Sequence, residues 1–271
     1  MSRIGTQVAL TIAGFDATGG AGLTADLKVF AAHGIYGISC VSALTVQSTV
    51  GVKRVEAVSA GTLGEMLETV CGDIAPTGIK IGMLGTAENV SEVAKFVSGW
   101  MGRVPIVLDP VLRSSSGREL LSAAGVEAIK AELLPMVDWV TPNIAEMEVL
   151  TGLAGSGRAE IEAGAVALQR LGAGNVVVTG GESVSPDDFA LLADGRRVWV
   201  TGTRVETTST HGTGCAFSSA LLCGLMLGDS GADAVGGAKR FVVGALKGAP
   251  GLGKGRGPLA LDWNLKRQAN Q

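Results

Sequence analysis

The chain has 271 residues, of which 46% are hydrophobic and 17% charged, and its formal net charge is −3. This length accommodates one large α/β domain or two small ones, with enough apolar residues for a substantial core. No basic patch, signal peptide or membrane-spanning segment is predicted, so we expect a cytoplasmic protein that acts on neither nucleic acid nor membrane.

Short apolar segments alternate with helical patterns along most of the chain. Strands are predicted at Val8–Ala13, Ile35–Leu44, Gly78–Ile81, Pro105–Leu108, Trp139–Thr141 and Asn175–Thr179. Helices are predicted at Ala21–Ala32, Thr62–Asp73, Ala87–Trp100, Ser122–Leu134, Ile144–Leu150, Glu160–Leu171, Gly214–Leu227 and Ala232–Leu246, and a hairpin at Phe189–Ala193 and Arg197–Thr201. The alternation predicts a mainly parallel sheet covered by helices on both faces, in a single domain over residues 1–271.

The glycine-rich segment Ala13–Gly22 joins the first predicted strand to the first helix. It lacks the Lys and Ser/Thr of a phosphate-binding P-loop, because Gly20-Ala21 stands in their place. It is a poor dinucleotide fingerprint, since Gly20 lies well beyond the predicted strand end and no acid ends the next strand. The remaining interpretation is the wall of another kind of pocket.

Residues 210–215, Thr-His-Gly-Thr-Gly-Cys, lead directly into an apolar helix. The first N–H groups of a helix and its dipole favour an anion, or the charge that develops in a transition state. Cys215 falls in the first turn, where a thiolate is stabilised. The alternative is a tight loop with a small buried cysteine. The four cysteines form no C-x-x-C pair, and we expect no disulfide or zinc site.

Two acids follow predicted strands. Asp109 ends a buried strand, where an acid needs a partner such as magnesium, although a turn before Pro110 would also explain it. Asn143 and Glu146 have the spacing of a helix capping box, which by itself is the favoured interpretation. Further glycines and Met83 follow other strands. The carboxyl ends of parallel strands meet at one edge of the sheet, so the acids, the glycine turns and the helix start should lie close together. Acids beside a group of anion donors favour phosphoryl transfer from a magnesium nucleotide.

Several segments resemble one family over nearly the whole chain. They are Leu10–Lys28 (L-T-I-A-G-x-D-x-x-G-G-A-G-x-x-A-D-L-K), Lys80–Leu84 (K-I-G-M-L), Leu108–Val111 (L-D-P-V), Thr141–Glu146 (T-P-N-x-x-E), His211–Cys215 (H-G-T-G-C) and Gly253–Pro258 (G-x-G-x-G-P). Together they are similar to the hydroxymethylpyrimidine/phosphomethylpyrimidine kinases of thiamine biosynthesis, in the ribokinase-like superfamily.

The resemblance implies a ribokinase-like three-layer α/β/α sandwich with a mainly parallel central sheet, a small peripheral β-hairpin and a homodimeric assembly. The implied reaction uses ATP and Mg²⁺ to phosphorylate 4-amino-5-hydroxymethyl-2-methylpyrimidine and its monophosphate. The implied substrate-binding residues are Gly14, Asp26, Gln47 and Met83. The other implied residues are Gly212, Thr213 and Gly214 as the anion hole, Cys215 as general base, Asp109 and Glu146 for magnesium, and Asn143, Thr179 and Gly181 for the nucleotide.

Two departures from the family pattern bear on activity, one at Thr179–Glu182 and one in the glycine-rich C-terminal segment, where Lys254 and Arg256 stand in place of the family's more usual residues. The family often has Lys-Gly-Gly-His where this chain has Thr179-Gly180-Gly181-Glu182, so a positive charge near the phosphates is missing unless Lys254 or Arg256 replaces it. Pyridoxal kinase is the main alternative, and Gln47 favours the aminopyrimidine because an amide both donates and accepts hydrogen bonds. A pyrimidine-binding sensor without turnover is a third interpretation.

Overall fold

The computed structural model describes residues 6–114, 116–181 and 186–268, with side chains described up to residue 265. The strands are β1 (Val8–Asp16), β2 (Tyr36–Ser48), β3 (Gly51–Ala57), β4 (Gly78–Ile81), β5 (Ile106–Leu108), β6 (Trp139–Val140), β7 (Asn175–Val178), β8 (Asp188–Leu191) and β9 (Arg197–Val200). They form one sheet in the order β3-β2-β1-β4-β5-β6-β7-β8-β9. The six strands from β2 to β7 in this order are parallel, and β3, β8 and β9 pair antiparallel at the edges.

Helices cover both faces of the sheet. They are α1 (Gly22–Ala32), α2 (Ala60–Asp73), α3 (Ala87–Ser98), α4 (Ala123–Ala128), α5 (Ile144–Thr151), α6 (Arg158–Arg170), α7 (Thr213–Met226), α8 (Gly231–Lys247) and α9 (Trp263–Gln268). After α4 the chain continues through a π-helical turn and a 3₁₀ turn that contains Pro135. None of the helices within the described ranges combines the length and the apolar character needed to cross a bilayer.

The core lies in two layers, because successive side chains of a strand point to opposite faces of the sheet. On β5, Ile106 and Leu108 pack with helices α2 to α6 on one face. Val107, between them, packs with α1, α7 and α8 on the other face. The predicted three-layer α/β/α sandwich with a mainly parallel sheet and a peripheral hairpin is therefore confirmed. Its organisation as one domain over the whole chain stays a prediction.

The chain reverses its direction across the sheet between β1 and β4. The connection from β1 to β2 runs through α1 on one face, whereas those from β4 onward run through helices on the other. In open parallel sheets this switch point leaves a crevice at the carboxyl ends of the strands, where ligands bind. The topology thus places a site beside the ends of β1 and β4.

The strand prediction was incomplete at one edge. Strand β2 continues beyond Leu44 to Ser48, and β3, which was not predicted, pairs with it. The side chains of β3 are exposed or half-buried, so the segment lacks the apolar signal of a core strand. Strand β1 also continues beyond Ala13 to Asp16, with a register shift between Ala13 and Gly14. Gly14 therefore belongs to the strand and not to the loop.

Candidate active site

A cavity of about 400 Å³ lies at the carboxyl ends of the parallel strands. Every residue predicted for the site lines this cavity except Asp26. We call the part around Gly14, Gln47 and Met83 the substrate end. The part around Asp109 and the turn Gly212–Cys215 is the phosphoryl end, and the part around Asn143, Glu146 and Thr179 is the nucleotide end.

The phosphoryl end is centred on the start of α7. Gly212 is the N-cap residue, with a φ of +85° that L side chains rarely adopt. A Cβ at this position would overlap the Gly20 carbonyl oxygen, so the turn can rest directly on the glycine loop. No acidic residue occupies the first turn of α7, and Gly214 is exposed to the cavity. The turn therefore presents helix N–H groups to an anion in the cavity.

Asp16 ties the glycine loop to this turn. Its carboxylate accepts hydrogen bonds from the N–H groups of Thr18 (2.8 Å) and Ala21 (2.9 Å) and from the Thr18 hydroxyl (2.8 Å). His211 Nε2 donates to the same carboxylate across 2.8 Å. Burial opposes the charge, but the hydrogen bonds from His211 and Thr18 outweigh it and lower the pKa of Asp16 to about 2. Asp16 is thus an ionised bridge between two loops of the site.

Cys215 lies in the first turn of α7, partly exposed, with its thiol near Asp109 and the Gly22 N–H. Burial raises the pKa of Cys215 to about 12; Lys80 opposes this rise, and the Asp109 and Asp26 carboxylates add to it. The expectation that the helix start stabilises a thiolate is therefore wrong, since the nearby acids and burial override the helix dipole. The group is a thiol at neutral pH, and its role as general base stays a prediction.

Asp109 directly follows β5 and is 4% exposed. Its Oδ2 accepts a hydrogen bond from the Ser218 hydroxyl at 3.1 Å and lies 3.9 Å from Lys80 Nζ. Burial raises the pKa of Asp109, Lys80 lowers it, and the Asp26 carboxylate raises it further, for a net rise. Two acids thus share one lysine, which leaves a surplus of negative charge that a cation can neutralise.

Asp26 does not line the cavity, and its predicted contact with substrate is wrong. Its side chain is fully buried beneath the phosphoryl end and accepts hydrogen bonds from Thr11 Oγ1 (2.6 Å), Lys80 Nζ (3.0 Å) and Ser219 Oγ (2.8 Å). These three donors come from β1, β4 and α7. Asp26 is separated from Lys80 by 54 residues, so the sequence alone gave no sign of this ion pair.

The substrate end is mainly apolar. A Cβ on Gly14 would lie 3.1 Å from Met83 Sδ, so the glycine leaves room for the thioether beside β1. The Ser42 hydroxyl donates to the Met83 carbonyl and fixes that segment. Gln47 is half-buried on β2, next to the register shift between Val46 and Gln47. Gln47 is therefore held on a strand beside the cavity.

The nucleotide end contains the capping box that the sequence favoured. The Glu146 N–H donates to Asn143 Oδ1, and the Asn143 N–H donates to Glu146 Oε2, both at 2.9 Å. Asn143 pairs with Thr179 in a parallel bridge. Gly181 is exposed at the same edge, whereas Glu182 lies outside the described residues. The capping box does not test whether Glu146 also organises magnesium.

Lys254 and Arg256 lie at the substrate end and not beside Thr179. The Lys254 N–H donates to Thr49 Oγ1 at 3.1 Å, and Arg256 lines a small cavity next to Gln47. Thr49 is in the turn between β2 and β3, and β2 is five strands from β7 in the sheet. At the usual spacing of about 4.8 Å between neighbouring strands, β2 and β7 are about 24 Å apart. Neither cation takes the place of a lysine at position 179.

Residues that the sequence reasoning assigned no role complete the site. They are Asp16, Lys80, Arg113 and His211, which all line the cavity. A lysine inside a four-residue strand was the available signal for Lys80, because a buried ammonium requires a charged partner. Asp16 offered a weaker signal, as an acid at the start of a glycine loop.

A parallel sheet with a switch-point cavity, helix N–H groups facing that cavity and an acid beside them defines the protein as a small-molecule kinase of the ribokinase-like type. A family model described as phosphomethylpyrimidine kinase matches residues 16–260. The chain belongs to this family.

Known proteins share this similarity over most of their length. The hydroxymethylpyrimidine/phosphomethylpyrimidine kinase of Haemophilus influenzae is 42% identical over 254 residues, which cover 92% of this chain and 94% of that protein. The structure of the phosphomethylpyrimidine kinase from Clostridium difficile has a TM-score of 0.77 at 32% identity and covers 88% of this chain and 98% of the other. The pyridoxal kinase from Staphylococcus aureus in complex with ADP has a TM-score of 0.86 at 29% identity, with 94% and 93% covered.

Proposed function

We propose that the protein transfers the γ-phosphoryl group of ATP to the hydroxymethyl group of 4-amino-5-hydroxymethyl-2-methylpyrimidine, and then to the resulting monophosphate, in thiamine biosynthesis. One observation carries this proposal. A single cavity joins the Gln47 amide to the helix N–H groups of Gly212–Cys215. The names of the Haemophilus influenzae and Clostridium difficile relatives support the same substrate class.

The substrate end suits an aminopyrimidine. The ring edge presents an amino donor beside a ring-nitrogen acceptor, and the Gln47 amide can pair with both. Gly14 and Met83 border the same space. The glycine has no side chain to obstruct the ring, and the polarizable Met83 thioether can contact its face. Binding in this orientation aims the hydroxymethyl group along the cavity toward Cys215.

The acids at the phosphoryl and nucleotide ends fit magnesium bound together with nucleotide phosphates. The described residues contain no group of three or more His, Cys, Asp or Glu that could hold a metal unaided. Mg²⁺ commonly takes only one or two carboxylates and completes its shell with phosphates and water. Asp109, with its surplus negative charge, and Glu146 would hold it, and it would there neutralise the charge on the transferring phosphates.

The hydroxymethyl group lies toward Cys215 in this proposal. The Cys215 thiol donates to the Asp109 carboxylate, whose pKa is raised by burial and by Asp26. Cys215 therefore orients the hydroxymethyl group as a thiol, and Asp109 keeps its charge for magnesium. As general base, Cys215 would have to pass its own proton to an acceptor other than Asp109. The migrating phosphoryl group meets the N–H groups of Thr213 and Gly214, which face the charge that develops on its oxygens.

The charge missing at Thr179 is supplied by Arg113 in this scheme. Arg113 lies four residues after Asp109, is exposed and lines the same cavity. A guanidinium matches phosphate oxygens in a bidentate fashion and stays charged at neutral pH. A guanidinium on the long side chain of Arg113 would reach along the cavity toward the phosphates and replace a lysine at position 179.

Pyridoxal kinase is the second candidate, because the structure is similar to pyridoxal kinases that were solved with ADP and with pyridoxal. Parallel assays with ATP and each substrate decide between the two. We expect a higher kcat/KM for the pyrimidine and successive mono- and diphosphate products by mass spectrometry. A preference for pyridoxal of about a hundredfold would overturn the pyrimidine assignment. Pyrimidine binding without ATP consumption would indicate the sensor.

A homodimer is also proposed. Phe15 on β1 pairs in register with Leu44 on β2, and both are exposed together with Val46. Adjacent exposed apolar side chains are typical of a surface that contacts a partner. Light scattering of the purified protein distinguishes a dimer from a monomer. The cytoplasmic location stays a prediction.

A further inference from the structure

Lys80 is a buried cation beneath the phosphoryl end. It belongs to β4, its side chain is 0% exposed, and the residue is part of the cavity lining. The Nζ atom lies 3.0 Å from Asp26 Oδ2 and 3.9 Å from Asp109 Oδ2. A Cβ on Gly82 would come within 2.8 Å of it, so the ammonium has little room to move. Lys80 is therefore fixed between an acid that faces the cavity and an acid that does not.

Asp26 acts as a rigid counter-ion. Both of its oxygens accept hydrogen bonds, Oδ2 from Thr11 and Lys80 and Oδ1 from Ser219. The hydroxyl groups hold the carboxylate in one orientation, which in turn fixes the direction of Lys80. A carboxylate that is 0% exposed and accepts from three protein donors is not available to the substrate.

Helix α7 contacts both acids through neighbouring serines. The Ser218 hydroxyl donates to Asp109 at 3.1 Å, and the Ser219 hydroxyl donates to Asp26 at 2.8 Å. The same helix begins with the turn Gly212–Cys215. The position of the turn relative to Asp109 thus depends on the two acids and on the lysine between them.

We propose that Lys80 is a positioning residue for phosphoryl transfer, held by Asp26, which fixes the Asp109 carboxylate at the start of α7 and adds positive charge beneath the migrating phosphoryl group. This inference rests on the proposed function. Asp26, for which a substrate contact was expected, is instead the counter-ion of Lys80. Lys80 in turn acts through Asp109.

The paired substitution Lys80→Met with Asp26→Asn tests this role. Lys80→Met alone leaves both acids without their lysine and is expected to be strongly destabilised, whereas Asp26→Asn alone leaves Lys80 with Asp109 as its charged partner. The double variant removes both charges with little change of shape, so it should melt close to the wild type. A merely structural ion pair would then give nearly normal turnover. A positioning lysine predicts that kcat falls by at least about thirtyfold while KM for the pyrimidine stays within about threefold.

A matched control applies the same chemical change to a second buried pair. Lys239 Nζ, on α8, lies 2.9 Å from Asp188 Oδ1. Because Asp188 also accepts a hydrogen bond from the Gly180 N–H at the nucleotide end, the kcat values are compared at saturating ATP. The variant Lys239→Met with Asp188→Asn should lower kcat by no more than about threefold. A kcat loss of equal size in both double variants would overturn the proposal, as would a Lys80→Met/Asp26→Asn variant with wild-type kcat.

A second variant keeps the test decisive if the neutralised protein does not fold. Thr11→Val with Ser219→Ala removes the two hydroxyl donors from Asp26 and no charge. Lys80 then becomes the remaining donor among those described and is drawn toward Asp26, away from Asp109. We expect kcat to fall about fivefold, with KM for the pyrimidine and the affinity for AMP-PCP measured by calorimetry both unchanged within about twofold. An unchanged kcat in this folded variant would overturn the proposal.

Failure of the proposed function has a different signature. If the wild type phosphorylates pyridoxal and not the pyrimidine, the same variants are compared with pyridoxal, and the kcat pattern still supports or overturns the role of Lys80. If the wild type phosphorylates neither substrate, both proposals are overturned before any variant is measured.

Discussion

The substrate end and the phosphoryl end of the cavity differ in how they are built. Gly14 on β1, Gln47 on β2 and Met83 after β4 offer a shaped, mainly apolar surface with one amide. The phosphoryl end instead concentrates charge, with Asp109 and buried Lys80 below the start of α7. The contrast separates binding from turnover. Changes at the substrate end should alter KM and selectivity, whereas changes at the phosphoryl end should alter kcat.

Gly212→Ala is expected to have the largest effect. The φ of +85° and the overlap of a Cβ with the Gly20 carbonyl oxygen force the turn to move. Because misplaced N–H donors lose transition-state contacts, we expect kcat/KM to fall at least about 1000-fold. Steady-state kinetics and thermal unfolding measure the change.

Gly195→Ala is the control for this prediction. Gly195 has the same φ of +85°, but a Cβ there meets nothing within 4 Å. It should show the cost of the backbone conformation in stability and keep kcat/KM within about twofold. Equal losses of activity in the two variants would show that the turn has no special role.

Asp109→Asn should follow in size. The amide keeps the shape but loses the charge that pairs with Lys80 and would hold magnesium. We expect kcat to fall about 100-fold or more, with KM for the pyrimidine within about threefold. The control is Asp138→Asn, an acid before β6 that accepts from the Ile106 N–H at 2.8 Å. A rise in KM at constant kcat would place Asp109 in substrate binding instead.

Gln47→Leu tests the substrate end. Loss of hydrogen bonds to the aminopyrimidine edge should raise KM for the pyrimidine about tenfold and leave kcat within about threefold. The kcat/KM for pyridoxal should change less, which shifts selectivity. Ser48→Ala, at the exposed next residue of β2, is the matched control. If kcat/KM falls equally for the pyrimidine and for pyridoxal, Gln47 does not recognise the pyrimidine ring.

Asp16 joins the two ends, and its contribution should depend on pH. Its folded pKa of about 2 is below the ordinary value of 3.8, so its stabilisation is complete above the unfolded value and is lost as the pH falls through 2. The shift corresponds to about 2 kcal/mol at neutral pH. Urea unfolding of the wild type and Asp16→Asn should differ by this amount at pH 6, and the difference should vanish near pH 2. A difference independent of pH would contradict the ionised bridge.

Thr179→Lys is expected to have the smallest effect. A lysine at the nucleotide end adds a cation near the phosphates, where we infer that Arg113 already supplies one. KM for ATP should therefore fall only about threefold, and Thr179→Val should leave it unchanged. In an Arg113→Ala background the gain should be larger. An equal gain in both backgrounds would show that Arg113 does not serve the phosphates.

The sequence predicted the layers of the fold because its apolar segments have the periods of buried strands and covering helices. Strand β3 escaped prediction because residues such as Lys53, Arg54 and Glu56 are exposed on an edge strand. The sequence pattern could not show that β2 extends to Gln47. Residues 44–48 alternate between exposed and half-buried positions, so none of them gives the signal of a buried strand.

The site was predictable where it depends on strand ends and helix starts, as at Asp109 and Gly212. It was not predictable where it depends on contacts between distant segments. Asp26 and Lys80 meet because α1 packs against β1, the neighbour of β4 in the sheet, and His211 reaches Asp16 across 195 residues of sequence. The thiolate predicted for Cys215 was wrong because burial raises its pKa, with further contributions from Asp109 and Asp26, which also come from distant segments.

A crystal structure with 4-amino-5-hydroxymethyl-2-methylpyrimidine and AMP-PCP is the most direct test of the central claim. The account predicts the aminopyrimidine edge within about 2.7–3.2 Å of the Gln47 amide. It also predicts the hydroxymethyl oxygen toward Cys215 and the terminal phosphonate on the N–H groups of Thr213 and Gly214. A pyrimidine bound away from Gln47, or a terminal phosphonate away from the start of α7, would contradict the account.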